Sequence, residues 1–267
     1  MKVAIRWAAG ERLANCAAAA RLATSHGIRT PQVLAIGTPR PEFGGRAYSV
    51  WDYLEGQDAA DALTSMADTS RHAFFSALGG VVAALHAISA ERYTGSVLDT
   101  DAQPNWARAV RDRLGRIPER YRAVGLDMDA GVAQALERIA ALAEEVSGLS
   151  RPALVHTDLY LDNLLVGADG EPVLLDFEHA RYGDAATDFV KPALFIGPVH
   201  AGAQQTMLDG YQQHADERGL LQRINLALGL ELVWGIPFFH QWNDDHVEAL
   251  YRSSLTEWVD ARGAGLT

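Results

Sequence analysis

The stretch Ala153-Leu-Val-His-Thr-Asp-Leu-Tyr-Leu-Asp-Asn-Leu-Leu-Val166, followed by Gly167-Ala-Asp-Gly-Glu171 and Val173-Leu-Leu-Asp-Phe-Glu178, decides the fold. It contains His-x-Asp-x4-Asn and then an aspartate thirteen residues past the asparagine. Leu164–Val166 and Val173–Leu175 read as antiparallel strands joined across the Ala168-Asp-Gly170 turn. That pairing returns the chain on itself and brings Asn163 and Asp176 together at the open end of the hairpin. An amide oxygen and a carboxylate are hard donors, suited to a Mg²⁺ ion shared with phosphate oxygens. Asp158, five residues before Asn163, then stands where it can orient and deprotonate an acceptor hydroxyl. Each residue also has a plainer reading: Asp158 can cap a turn, and Asn163 and Asp176 can be ordinary hairpin-end polar groups. Their joint spacing favours the chemical one.

Working outward, Lys2–Trp7 alternates polar and apolar residues and reads as a strand, and Ala-rich Glu11–Thr24 as a helix stopped by Gly27. Gln32–Ile36 and Arg46–Tyr53 are strand-like runs joined by the Pro/Gly-rich Thr38–Gly45. Residues 1–55 therefore form a small α+β lobe. Beyond it the pattern turns helical over Phe74–Ala90, Trp106–Arg116 and Gly131–Val146, and again from about Asp188 to Asp260. The expected architecture is α+β, with a reduced antiparallel-sheet lobe at 1–55 and a mainly helical catalytic and substrate lobe at 56–267.

The 267 residues carry a formal net charge of -11, which argues against nucleic acid or an anionic membrane surface as partner. The single cysteine, Cys16, forms no internal disulfide and reads as a buried, inert thiol. Met1–Trp7 is too short for the apolar core of a signal peptide, and Leu226–Phe239 is too short to span a bilayer and carries Glu231 and Pro237. A cytoplasmic protein is expected.

The catalytic spacing matches that of protein kinases, with Asp176-Phe-Glu178 where they carry Asp-Phe-Gly. His156-Thr-Asp-Leu159 with Asn163, Leu175-Asp-Phe-Glu-His-Ala180, Gly183-Asp184 and Asp188-Phe189 resembles more closely the aminoglycoside phosphotransferase family, which has choline-kinase-like and homoserine-kinase-like relatives. Gly27-Ile-Arg-Thr-Pro-Gln-Val-Leu34 is similar to that family's strand entry, Trp51-Asp-Tyr-Leu-Glu-Gly56 to its interlobe hinge, and the helix with Leu85-His86 to its "LHA" helix. The resemblance implies a two-lobed protein-kinase-like fold and transfer of the γ-phosphate of ATP or GTP to a small-molecule alcohol. It implies Asp158 as base, Asn163 and Asp176 as Mg²⁺ ligands, and His156 and Asp188 as supports of the loop. Asp52 and Leu54 would meet the nucleotide base. Val3–Arg6 resembles the family's third strand and puts Arg6 in place of its phosphate-binding lysine, without the two strands and phosphate loop that normally precede it. The best register puts Asn15 where the family's helix carries the acid that orients this cation.

Glu178 can touch the metal shell or a cationic substrate, or simply face solvent, and on the acceptor side the resemblance points to the aromatic and acidic set that includes Glu231, Trp234, Phe238, Trp242 and Asp244. Such a set suits a polar, cationic acceptor such as an aminoglycoside-like antibiotic. It equally suits helical core packing with acids facing water. Two other readings of the chain stay open: a non-catalytic ligand-binding relative, and metal-assisted hydrolysis with water as acceptor.

Overall fold

The structure, a computed structural model, describes residues 2–3 and 9–261. The chain begins with β1 (Lys2–Val3), α1 (Ala9–Ser25), β2 (Val33–Arg40) and β3 (Arg46–Trp51). β3 lies between β1 and β2 in an antiparallel sheet, in the register Lys2↔Ser49 and Val33↔Trp51. α1 lays Leu13, Ala17, Ala20 and Ala23 into the core, and their small size lets the helix sit close to the sheet. It stops as expected, with Gly27 in the left-handed region at φ 80°. The helix extends two residues before and one after the expected Glu11–Thr24.

Next come β4 (Gly56–Asp58), α2 (Ala59–Ser65) and α3 (Asp68–His86). α3 ends four residues short of the expected Ala90, because Leu154 N–H takes the Ile88 carbonyl and Ala90 N–H takes that of Pro152. After the short strands β5 (Tyr93–Thr94) and β6 (Ala102–Gln103) come α4 (Trp106–Gly115), α5 (Ile117–Ala123) and α6 (Ala130–Val146). Four strands follow: β7 (Pro152–Val155), β8 (Leu164–Gly167), β9 (Pro172–Leu174) and β10 (Arg181–Asp184). The chain closes with α7 (Ala203–Gln212), α8 (Leu220–Gln241) and α9 (Asp245–Asp260). No described helix is long and apolar enough to cross a membrane.

Packing divides the chain into two compact units, Met1–Ala102 with Pro152–Glu217, and Gln103–Arg151 with Arg218–Thr267. The sequence division at 55/56 falls inside the first unit, between β3 and β4. In that unit β8 pairs with both β4 and β9, and β7 pairs with β10. α3 and α7 cross closely because Gly79 and Gly210 lack side chains. A Cβ on Gly79 would lie 2.1 Å from the Met207 carbonyl oxygen, and one on Gly210 the same distance from that of Ser76. In the second unit α4, α5, α6, α8 and α9 enclose Val110, Ile117, Tyr121, Ile139, Leu232 and Trp258.

Candidate active site

The hairpin forms as its sequence requires. β8 and β9 pair in the register Leu164↔Leu174, Leu165↔Val173 and Val166↔Pro172. One bond beyond the ladder, Leu175 N–H donates to the Asn163 carbonyl at 2.9 Å, so Asn163 and Asp176 emerge side by side. On the other edge of β8, Gly56 faces Gly167, and a Cβ there would lie 2.9 Å from the Val166 carbonyl oxygen. Only glycine lets the segment after Trp51–Leu54 run this close to the hairpin.

The loop between β7 and β8 is held from beneath. The Asp188 carboxylate accepts His156 N–H at 2.8 Å and Thr157 N–H at 2.6 Å, and His86 Nε2 lies 3.0 Å away. Burial alone would push the Asp188 carboxyl up, but the hydrogen bond and charge of His86, with those of His156, hold it below the usual carboxylate range. Thr157 takes φ 68°, a strained value for a β-branched residue, and its backbone N–H bond to Asp188 secures it. His86 in turn has Nδ1 3.1 Å from the Tyr211 hydroxyl, tying the loop support to α7.

His156 is fully buried. Its Nε2 lies 2.7 Å from the Leu175 carbonyl, which can only accept, so Nε2 carries the proton and Nδ1 is left to accept Asp158 N–H at 3.3 Å. Both ring nitrogens are thus engaged between the loop and the Asp176 segment. Asn163 Nδ2 donates to the Asp158 carbonyl at 2.8 Å and to its carboxylate Oδ2 at 3.1 Å. Among the described residues, the Asn163 Oδ1 and the second carboxylate oxygen of Asp158 accept no hydrogen bond. One amide oxygen and one carboxylate are hard donors of the kind that would suit a Mg²⁺ ion. The described residues contain no cluster of three His, Cys, Asp or Glu side chains able to hold a metal by themselves.

The other expected residues fall in several places. At the end of β3, Asp52 N–H donates to the Gln32 carbonyl at 2.9 Å, and the Asp52 carboxylate accepts Gln32 N–H at 2.6 Å. Neither the Asp52 carbonyl nor the Leu54 N–H makes a hydrogen bond among the described residues. Arg6 lies outside the described residues. Glu178 is 3.7 Å from Arg12 and 3.1 Å from His179 Nε2. Glu231 and Trp234 lie on α8 in the second unit, and the arginines beside them were missed by sequence reasoning. Arg113 and Arg120 stack on the Trp234 ring at 4.5 and 3.9 Å. Glu231 lies 3.8 Å from Arg113 and accepts the Tyr251 hydroxyl at 3.1 Å. Cys16 is buried on α1 as expected, but its thiol lies 3.7 Å from Asp176 Oδ1, a contact the sequence did not show. A contact across 160 residues leaves no local signal.

Known proteins are similar to this chain in sequence and fold. A probable ketoamine kinase of Staphylococcus aureus is 29% identical over an alignment of 201 residues that covers 70% of this chain. The match spans 62% of that protein, less than two thirds of its length. A crystal structure of a thermostable mutant of the aminoglycoside phosphotransferase APH(4)-Ia, in ternary complex with ADP and hygromycin B, superposes with a TM-score of 0.71. It is 17% identical, and the match covers 96% of this chain and 84% of that one. The GDP and kanamycin complex of another aminoglycoside phosphotransferase, of the APH(2") group, gives 0.65 at 15% identity, over 95% of this chain and 84% of that one. These likenesses establish the α+β kinase-like fold. Residues 4–221 match the phosphotransferase enzyme family, APH, and with most of its length inside that match, the chain belongs to this family.

Proposed function

We propose that the chain is a Mg²⁺-dependent small-molecule kinase, transferring the γ-phosphate of ATP or GTP to a hydroxyl of a small alcohol. One observation carries this reading: Asn163 Nδ2 grips Asp158 while its carbonyl takes Leu175 N–H, so base and metal donors share one rigid corner. A structural hairpin has no use for that convergence. Relatives crystallised with ADP and with GDP support a nucleotide donor of either base.

In the proposed reaction Asp158 accepts the proton of the acceptor hydroxyl as its oxygen bonds to the γ-phosphorus. The bond from that phosphorus to the bridging oxygen breaks, and the nucleoside diphosphate leaves. Asn163 Oδ1 and the Asp176 carboxylate would hold the magnesium, which when bound neutralises charge on the phosphate oxygens. Asp52 and Leu54 would meet the base through the backbone groups left open beside β3, and Arg6 would touch the phosphates. Residues 1–55 would then be the nucleotide lobe and 56–267 the catalytic and substrate lobe. Positioning and fixed charge supply most of the rate, since the loop is already held by Asp188 and His156.

Glu178, Glu231 and Trp234 are proposed acceptor contacts, and all three are already engaged by cationic or hydrogen-bonding partners. Arg113 and Arg120 stack on Trp234 and Arg113 lies beside Glu231, so an acceptor screen should carry neutral sugars and polyols beside aminoglycosides. We place the protein in the cytoplasm. Incubating it with Mg²⁺, ATP or GTP and such a panel, and following nucleoside diphosphate release, tests the reading. Acceptor-dependent release supports it. No release with any acceptor and no Mg²⁺-dependent nucleotide binding would leave a non-catalytic relative, and release at the same rate without acceptor would indicate hydrolysis.

A further inference from the structure

α1 reaches the metal segment through two consecutive residues. Asn15, 4% exposed, donates through Nδ2 to the Glu178 carbonyl at 3.1 Å and to the Ala180 carbonyl at 2.9 Å. Its Oδ1 accepts Val97 N–H at 2.7 Å. Both amide hydrogens and the amide oxygen are thus committed, joining α1, the loop at Val97 and the turn that follows Asp176. Cys16 places its thiol 3.7 Å from Asp176 Oδ1, and one turn earlier Arg12 lies 3.7 Å from Glu178.

The turn held this way is strained. Asp176 sits in the left-handed region, φ 57° and ψ 70°, and the chain folds directly into a short 3₁₀ turn over Phe177–His179. A non-glycine residue is uncommon in that region and is held there by its surroundings. The two carbonyls gripped by Asn15 lie two and four residues past Asp176, so they pin the exit of the strained residue.

We propose that Asn15 is a positioning residue for the metal ligand: it sets the Asp176 carboxylate by clamping the turn after it to α1. The inference rests on the phosphotransferase reading for its consequence in catalysis, and on geometry alone for the clamp itself. In the reaction proposed above, loosening the clamp moves the metal donor without touching Asp158.

Two variants test this. Asn15→Asp keeps the shape and the acceptor for Val97 N–H but loses both donors to the carbonyls. Asn15→Ala removes the whole amide and remains informative if the charged variant does not fold. Amide hydrogen exchange reads the clamp directly, because Ala180 N–H closes the 3₁₀ turn on the Phe177 carbonyl. Exchange at Ala180 should rise about tenfold or more, as expected for the loss of two hydrogen bonds. The Mg²⁺ concentration for half-maximal binding of a non-hydrolysable nucleotide should rise by a similar factor, with a smaller change in acceptor KM. Unchanged exchange at Ala180 would overturn the proposal, as would a lowered Tm with unaltered Mg²⁺ dependence. If the unmodified protein binds no Mg²⁺-nucleotide, the phosphotransferase reading fails, and the exchange measurement still decides the clamp.

Discussion

Asn163 donates a single amide nitrogen to both the carbonyl and the carboxylate of Asp158, at 2.8 and 3.1 Å, so the candidate base and a candidate metal ligand hold each other. Removing the amide therefore does two things at once. Asn163→Ala should raise the Mg²⁺ requirement and lower kcat together, by about 10- to 100-fold or more. Steady-state kinetics over a Mg²⁺ series would separate this from a simple loss of metal, which excess Mg²⁺ would repair. Excess Mg²⁺ should leave a deficit here, because the grip on Asp158 is gone.

His156 gives a different signature. Its ring spans from Asp158 N–H to the Leu175 carbonyl, so His156→Ala leaves both groups short of a partner in a buried place. The expected cost is about 1–3 kcal/mol of stability, seen as a lower urea midpoint. The pH dependence of kcat should keep its shape. A lost or shifted limb would instead make His156 a participant in proton transfer.

The close crossing of α3 and α7 carries His86 and Tyr211, and through them Asp188. Gly79→Ala would drive a methyl group into the Met207 carbonyl, and backbone cannot rotate away as a side chain can. A destabilisation of about 1–3 kcal/mol is expected, measurable by denaturation. Activity should fall further than a surface variant of equal stability, since the support of the catalytic loop shifts with the helices.

Two buried groups give the protein an acid-sensitive stability with separate limbs. His200 packs against Phe75 and its pKa is lowered by burial, with the charge of Arg71 adding to the effect. Below the ordinary histidine pKa of about 6.5 the unfolded chain takes up this proton first, so stability falls as pH falls towards the lower folded value. The Asp188 carboxyl is also held low, so its contribution is full above its unfolded pKa of about 3.9 and is lost as pH falls further. Urea titrations across pH 7.5 to 5 should show the first limb, and His200→Leu should flatten it. An unchanged slope in that variant would assign the limb to another group.

The catalytic hairpin was legible because its information is local. Two apolar runs, a Gly-containing turn and the spacing of Asp158, Asn163 and Asp176 fix the register within about twenty residues, and strand pairing does the rest. α1 and its glycine stop were legible for the same reason, as were α4 and α6 to within a residue at either end. α5 went unread, since its seven residues are too few to show a period and begin with Ile117-Pro118. Partners of charged groups were hidden for a stronger reason. Nothing near Trp234 in sequence announces Arg113 and Arg120, and nothing near Asp176 announces Asn15 and Cys16. The aromatic and acidic set around α8 could be read either as a face for a cationic acceptor or as core packing, and folding brings two guanidinium groups onto Trp234.

The central claim is that Asp158 takes the acceptor proton during phosphoryl transfer. Asp158→Asn preserves the shape and leaves the Asn163 and Asp176 metal donors in place, so nucleotide binding should persist with Mg²⁺. Single-turnover transfer to an acceptor from the screen, followed with labelled γ-phosphate, should slow by about 10²–10⁴-fold. Transfer at the unmodified rate, with nucleotide binding intact, would contradict the assignment of Asp158 and with it the mechanism proposed for this site.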